Sequence, residues 1–207
     1  MGRDRSTPWI SVLIFLAIAA AAVFALRDFV LIDPSSHGFG LPLRHQGVIR
    51  AEVSDPDIAH LVSGDIELPA IDADLVAAVI FHESKFIDQT SSAGARGLMQ
   101  ITPETADTIE SLSGGSTFEF EDLANPELNI RYGTYYLRYL LSRYQGNVVA
   151  TLSAYNAGEG NADSWGGAAM EQSDIEFAET RSYVEGILKT RREYADAYAE
   201  ELGLTPR

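Results

Sequence analysis

The sequence predicts a mostly α-helical single domain behind an N-terminal transmembrane helix, and three observations carry that expectation. Apolar and aromatic residues recur at helical spacing through most of residues 44–207, no two alternating strands follow one another, and a nearly unbroken apolar run from Trp9 to Leu26 stands near the amino terminus. With 207 residues, 46% of them hydrophobic, the chain has the material for one ordinary core and a short extra segment.

Residues 1–8 form a short, net-positive start. The run 9–26 is about the minimum length that crosses a bilayer as a helix, and Arg3 and Arg5 ahead of it place the start in the cytoplasm and the body outside. The competing reading is a cleaved signal peptide, for which Val23-Phe24-Ala25 offers small residues at suitable spacing; the body is then secreted, and either way it is extracytoplasmic. Residues 27–43, with Pro34, Gly38, Gly40 and Pro42, read as a linker, and 44–207 as the folded body.

Within the body a short helix is expected around His45 to Val53. An irregular acidic stretch broken by Pro56, Gly64 and Pro69 follows, and Ser54 to Ala70 reads as an insertion with no assignable role. Asp72 or Asp74 is placed to cap the next helix, whose segment Leu75 to Phe81 is apolar on every face and so belongs in the core. Thr102-Pro103-Glu104 has the chemistry of a helix start. A helix from about Pro126 to Tyr144 carries Tyr132, Tyr136, Leu137, Leu140, Leu141 and Tyr144 at helical spacing; Gly146-Asn147 ends it, Val148 to Asn156 forms a short helix, and Phe177 to Leu202 a long last one.

Composition removes several function classes. Without cysteine there are no disulfides, thiolate metal sites, cysteine nucleophiles or lipid-modified cysteines. His37, His45, His60 and His82 show no metal-binding spacing, so no metal or other cofactor is expected. A formal charge of -15 argues against nucleic acid as a partner.

One residue departs from the pattern. In DLVAAVIFHESKF, Glu83 ends a helix whose preceding turns are wholly apolar, so desolvation and the negative end of the helix dipole both raise its pKa. A carboxyl kept protonated near neutral pH suits proton donation to a glycosidic oxygen. The plain alternative is a glutamate facing water at a helix end. Further on, SSAGARGLMQ (Ser91 to Gln100) is a small-residue loop that lets backbone approach a ligand, or merely a turn. AYNAG places Tyr155 and Asn156 at a helix end, and Glu179 and Tyr183, four apart in ETRSY, share one face of the last helix.

Taken in this order, HES, SSAGARGLMQ, AYNAG and EFAETRSYV resemble the catalytic domain of the soluble lytic transglycosylases, with a goose-lysozyme-like helical fold. The resemblance runs from about Asp72 to Tyr194. It implies that Glu83 is the catalytic acid/base and that Ser91, Gln100, Tyr155, Asn156, Glu179 and Tyr183 bind substrate or support the acid. It further implies peptidoglycan glycan strands as the partner and cleavage between N-acetylmuramic acid and N-acetylglucosamine with a 1,6-anhydro product. A lysozyme-type hydrolase and a non-catalytic wall-binding scaffold remain the rival readings. Thr102 stands where many relatives have methionine.

Overall fold

The computed structural model describes residues 40–54, 68–113 and 119–205. The apolar run 9–26, the linker up to residue 39 and most of the 54–70 insertion lie outside the described residues. Among the described residues, no helix is long and apolar enough to cross a membrane.

The helices are α1 (Gln46–Ser54), α2 (Ala73–Ser84), α3 (Pro103–Ser113), α4 (Pro126–Arg143), α5 (Val148–Ala157), α6 (Glu159–Ser164) and α7 (Ala178–Ala197), with 3-10 turns at Phe120–Ala124, Gly167–Ala169 and Gln172–Asp174. No strands form among the described residues; two isolated bridges, Thr90 to Arg96 and Arg96 to Ile101, tie the loop between α2 and α3. The helices expected within residues 44–207 are present, the last ending at Ala197 and not at Leu202, while α6 and the 3-10 turns were not foreseen.

The apolar character of α2 explains its position. Ala73 through Ile80 are all buried, and α7 packs along the helix most extensively, with α1 also against it. Burying Leu75, Val76, Val79 and Ile80 contributes about 1.5–3 kcal/mol each relative to exposure. The N-terminus of α2 is held differently from expectation. Asp72 occupies the N-cap position, but its carboxylate makes no cap hydrogen bond and instead accepts from Arg191 at 2.5 Å; the buried Asp74 accepts from the same guanidinium at 3.0 Å. A long-range cation outcompetes the local backbone donors, locking α2 to α7. Asn125 and Asn147 do act as caps, accepting from the first turns of α4 and α5.

Leu41–Arg207 forms one compact unit. Its entering segment is pinned at the far end of α7, where the Tyr194 and Tyr198 hydroxyls donate to the carbonyls of Pro42 and Leu41, both at 2.6 Å.

Candidate active site

The end of α2 delivers Glu83. The buried Ser84 hydroxyl bonds back to the Ile80 carbonyl at 3.1 Å, and the helix closes with Lys85 and Phe86 both in the left-handed region, at φ 56 and 61. Two such residues in succession cost roughly 1–2 kcal/mol each, offset here by burial of Phe86. The reversal returns Phe86 to the core and leaves Glu83 half-buried at the end of the helix.

Tyr183, from the first half of α7, donates its hydroxyl to Glu83 Oε1 at 2.5 Å. Burial pushes the Glu83 carboxyl up to about 7, against the opposing pull of the Tyr183 hydrogen bond and the Lys85 ammonium. The carboxyl is thus poised between proton donor and acceptor near neutral pH. Burial is the dominant cause, and the Lys85 offset is a contribution that the sequence reading did not include. Tyr155 approaches from α5, and its hydroxyl donates to the Met99 carbonyl at 2.7 Å. Burial and the Glu83 charge together raise the pKa of both tyrosines well above the ordinary phenol value, so both remain hydrogen-bond donors.

Behind Tyr155 lies an aromatic support. Tyr155 tilts onto Tyr136 at a ring separation of 5.8 Å, and Tyr136 stacks on Tyr139 at 6.0 Å. The Tyr139 hydroxyl donates to Glu159 at 3.3 Å, and Arg143 pairs with the same carboxylate at 2.9 Å. The unforeseen α6 therefore supplies the anchor for this side of the site.

The SSAGARGLMQ loop is held by its own residues. Ser91 is tied to Ala95 by two hydrogen bonds, since its N–H donates to the Ala95 carbonyl at 2.8 Å and its hydroxyl accepts from the Ala95 N–H at 3.0 Å. Gln100, at φ 48, donates its side-chain amide to the carbonyls of Gly97 at 2.8 Å and Gln89 at 3.1 Å. A fully buried Asn129 on α4 clamps the loop from beneath, accepting from Met99 N–H at 2.7 Å and donating to Arg96 O at 2.9 Å and Leu123 O at 3.1 Å. Gly97, at φ 78, is confined there, because a Cβ would lie 2.1 Å from the Asn129 amide nitrogen.

The structure thus brings Glu83, Tyr183 and Tyr155 together and gives Ser91 and Gln100 a role in shaping the loop. Asn156 accepts a hydrogen bond from the buried Thr180 at 2.7 Å, joining α5 to α7. Glu179 is exposed in the first turn of α7, one turn from Tyr183. Sequence reasoning missed Asn129, Lys85 and His82. The first had only a weak signal, an amide between Leu128 and Ile130 in a helix; His82 stood beside the acid but lacked any metal-like spacing. Among the described residues no cluster of three histidines or acids is arranged for a metal ion.

The chain is similar to several known proteins. The soluble lytic murein transglycosylase of Escherichia coli (strain K12) is 39% identical over 106 residues, 47% of this chain and 16% of that protein. The membrane-bound lytic murein transglycosylase F of Sodalis glossinidius is 34% identical over 116 residues, 46% of this chain and 23% of the relative. The chain therefore spans less than a quarter of the length of either curated relative. A solved 70-kDa soluble lytic transglycosylase in complex with bulgecin A superposes with a TM-score of 0.64 at 28% identity, covering 80% of this chain and 26% of that one. The family profile described as the transglycosylase SLT domain matches residues 63–178, more than half of the sequence. On that match the chain belongs to the transglycosylase SLT domain family.

Proposed function

We propose that this protein cleaves peptidoglycan glycan strands as a lytic transglycosylase, with Glu83 as its one acid/base. The observation that carries the reading is the Glu83 carboxyl, held by burial at a proton affinity near neutrality and bonded by Tyr183. The names of the matched relatives supply the substrate class.

Protonated Glu83 gives its proton to the oxygen linking C1 of N-acetylmuramic acid to O4 of N-acetylglucosamine. The C1–O4 bond breaks, and C1 acquires oxocarbenium character. The Glu83 carboxylate then removes the proton of the muramoyl C6 hydroxyl, O6 bonds to C1, and a 1,6-anhydro end results. Glu83 ends as it began, and no water is consumed. Ordinary glycosidases need a second carboxylate as nucleophile or base. Here burial, Tyr183 and Lys85 set the state of Glu83, and the nucleophile belongs to the substrate. Tyr183 stabilises the carboxylate produced in the first half, and the loop from Ser91 to Gln100, with Tyr155 and Asn156, forms the wall against which the sugars lie. Glu179, exposed one turn from Tyr183, contacts the strand at the groove edge.

The segment 9–26 acts as a single-pass anchor, with 1–8 in the cytoplasm, 44–207 as the extracytoplasmic catalytic body, and 27–43 as the tether, shortened at its end because Leu41 and Pro42 are docked on that body. The membrane-bound relative supports an envelope location. The decisive experiment is digestion of purified sacculi by the wild type and by Glu83→Gln, with mass analysis of the released muropeptides. The expected result is 1,6-anhydro products from the wild type and none from the variant. Reducing ends would instead identify a hydrolase, and full activity of the variant would remove Glu83 from the chemistry.

A further inference from the structure

Gly186 lies within α7, where glycine costs about 1 kcal/mol relative to alanine. It is not among the glycines with positive φ, so backbone conformation does not explain it. Space does. A Cβ at Gly186 would stand 2.6 Å from Cε1 of His82, the residue immediately before the acid. Carbon atoms rest at roughly 3.5–4.0 Å, so one methyl group would require the imidazole, or the helix that carries it, to give way by about 1 Å.

The imidazole that fills this space is fixed on three sides. Its Nε2 shares a hydrogen bond of 3.0 Å with Thr190 Oγ1, the Gly186 backbone faces it, and the Tyr183 ring meets it edge-on at a centroid distance of 6.3 Å. Tyr183, Gly186 and Thr190 follow one another at three- and four-residue spacing and so form one stripe of α7. His82 therefore touches the element that carries Tyr183 above and below the point of closest approach, while Glu83, its chain neighbour, receives the Tyr183 hydroxyl. Burial, and secondarily the Lys85 charge, lower the His82 pKa to about 4, so the ring is neutral, with a fixed volume, at neutral pH.

We propose that His82 and Gly186 form a spacer that sets the distance between the Glu83 carboxyl and the Tyr183 hydroxyl. Both are positioning residues, acting through a contact between α2 and α7 without touching the sugar. The role rests on the reading of Glu83 as the acid, since only then does that distance matter to rate. A separation of about 1 Å would stretch the 2.5 Å hydrogen bond to the limit at which such a bond counts as formed.

The test uses the full chain and four variants, Gly186→Ala, His82→Ala, the double variant and Tyr183→Phe. Two quantities are read. One is the titration of the Glu83 side chain, followed by the carboxyl carbon shift in protein labelled at glutamate and assigned with Glu83→Gln. The other is the pH profile of muropeptide release from sacculi, with kcat and KM separated. The groups facing Glu83 are Tyr183 from α7, Tyr155 from α5 and Lys85 beyond the end of α2, and all remain in the three spacer variants.

Gly186→Ala is expected to raise the Glu83 midpoint toward that of Tyr183→Phe and to lower kcat about tenfold, with KM within twofold of wild type. His82→Ala removes the ring, so the contact that holds α2 and α7 at this distance is lost and the midpoint moves away from the wild-type value. In the double variant the new methyl occupies part of the vacated space, so both readings lie closer to wild type than in either single variant. A wild-type midpoint in Gly186→Ala, or additive losses in the double variant, overturns the spacer. If Gly186→Ala does not fold, the comparison of His82→Ala with the double variant decides, and a double variant no closer to wild type refutes the proposal. The titration stands apart from activity: an active Glu83→Gln enzyme would overturn the functional reading, while the midpoints would still judge the spacer.

Discussion

Replacing Tyr183 by phenylalanine removes one hydroxyl and leaves the ring that packs against His82. The lost hydrogen bond, 2.5 Å long in the structure, favours the ionised form of Glu83. A hydrogen bond to a charged group contributes about 1.5–3 kcal/mol net, and one pKa unit corresponds to about 1.4 kcal/mol. The Glu83 midpoint, near 7 in the wild type, should therefore rise by about one to two units. Its sign follows from which form gains. Without the donor the carboxylate is less stable, so the acid persists to higher pH. Because bond cleavage starts from protonated Glu83, the alkaline limb of kcat/KM should move upward by the same interval. Initial rates of muropeptide release from pH 5 to 10 measure it directly. An unmoved limb would show that Tyr183 does not tune the acid, and a limb moved to lower pH would reverse the electrostatic argument.

Other consequences are accessible to stability measurements and simple substitutions. The folded pKa of Glu83 is raised above its ordinary 4.5, so its contribution to stability is fully present below about 4.5 and is lost as pH rises through 7. Glu83→Gln should accordingly gain stability over the wild type between pH 5 and pH 8, by on the order of 3 kcal/mol at most, in urea titrations; an equal difference at both pH values would contradict the burial cause. His82 works in the opposite sense, because its folded pKa is lowered from 6.5 to about 4 and its contribution is lost as pH falls through that window. The Glu83→Gln protein should therefore become more stable as pH rises from 4 to 6.5, a slope that the wild type partly cancels. Asn129→Ala strands the Met99 N–H and the Leu123 carbonyl beneath the loop, while the Arg96 carbonyl keeps the Ile101 N–H, and at about 1–3 kcal/mol per stranded group the melting temperature should fall by roughly 5 °C or more. A smaller fall would mean that water replaces the amide. Lys85→Met should shift the Glu83 alkaline limb upward by less than Tyr183→Phe does, since the lysine is the lesser of the two opposing influences.

The parts of this fold legible in the sequence were those written as periodicity. The all-apolar run of Leu75 to Phe81 could only be a core helix, and Thr102-Pro103-Glu104 marked the start of α3 to the residue. The α6 segment EGNADS has no apolar stripe, and its helical state comes from packing against α5 and from the capture of Glu159 by Arg143 and two tyrosines. Partner choice was illegible for the same reason. Asp72 has the side chain of a cap, but Arg191 reaches it across 119 residues of sequence. Glu83 stood out as a carboxylate where the pattern had no place for one, but its assignment as the acid came from the order of the four motifs. That Tyr183 is its partner came from the structure, because helical spacing shows that Tyr183 and Glu179 share a face without saying which of them reaches the acid.

The complete burial of α2 up to its final turn has a genetic consequence. From Ala73 to Ile80 every position faces protein, so inactivating alleles there should reduce the amount of enzyme in the cell together with its activity. Only the short stretch from Phe81 to Glu83, partly open to solvent, and Lys85 beyond it can yield alleles with full abundance and altered chemistry. A collection of inactive alleles sorted by protein level should therefore divide within this one helix, at the boundary between Ile80 and Phe81.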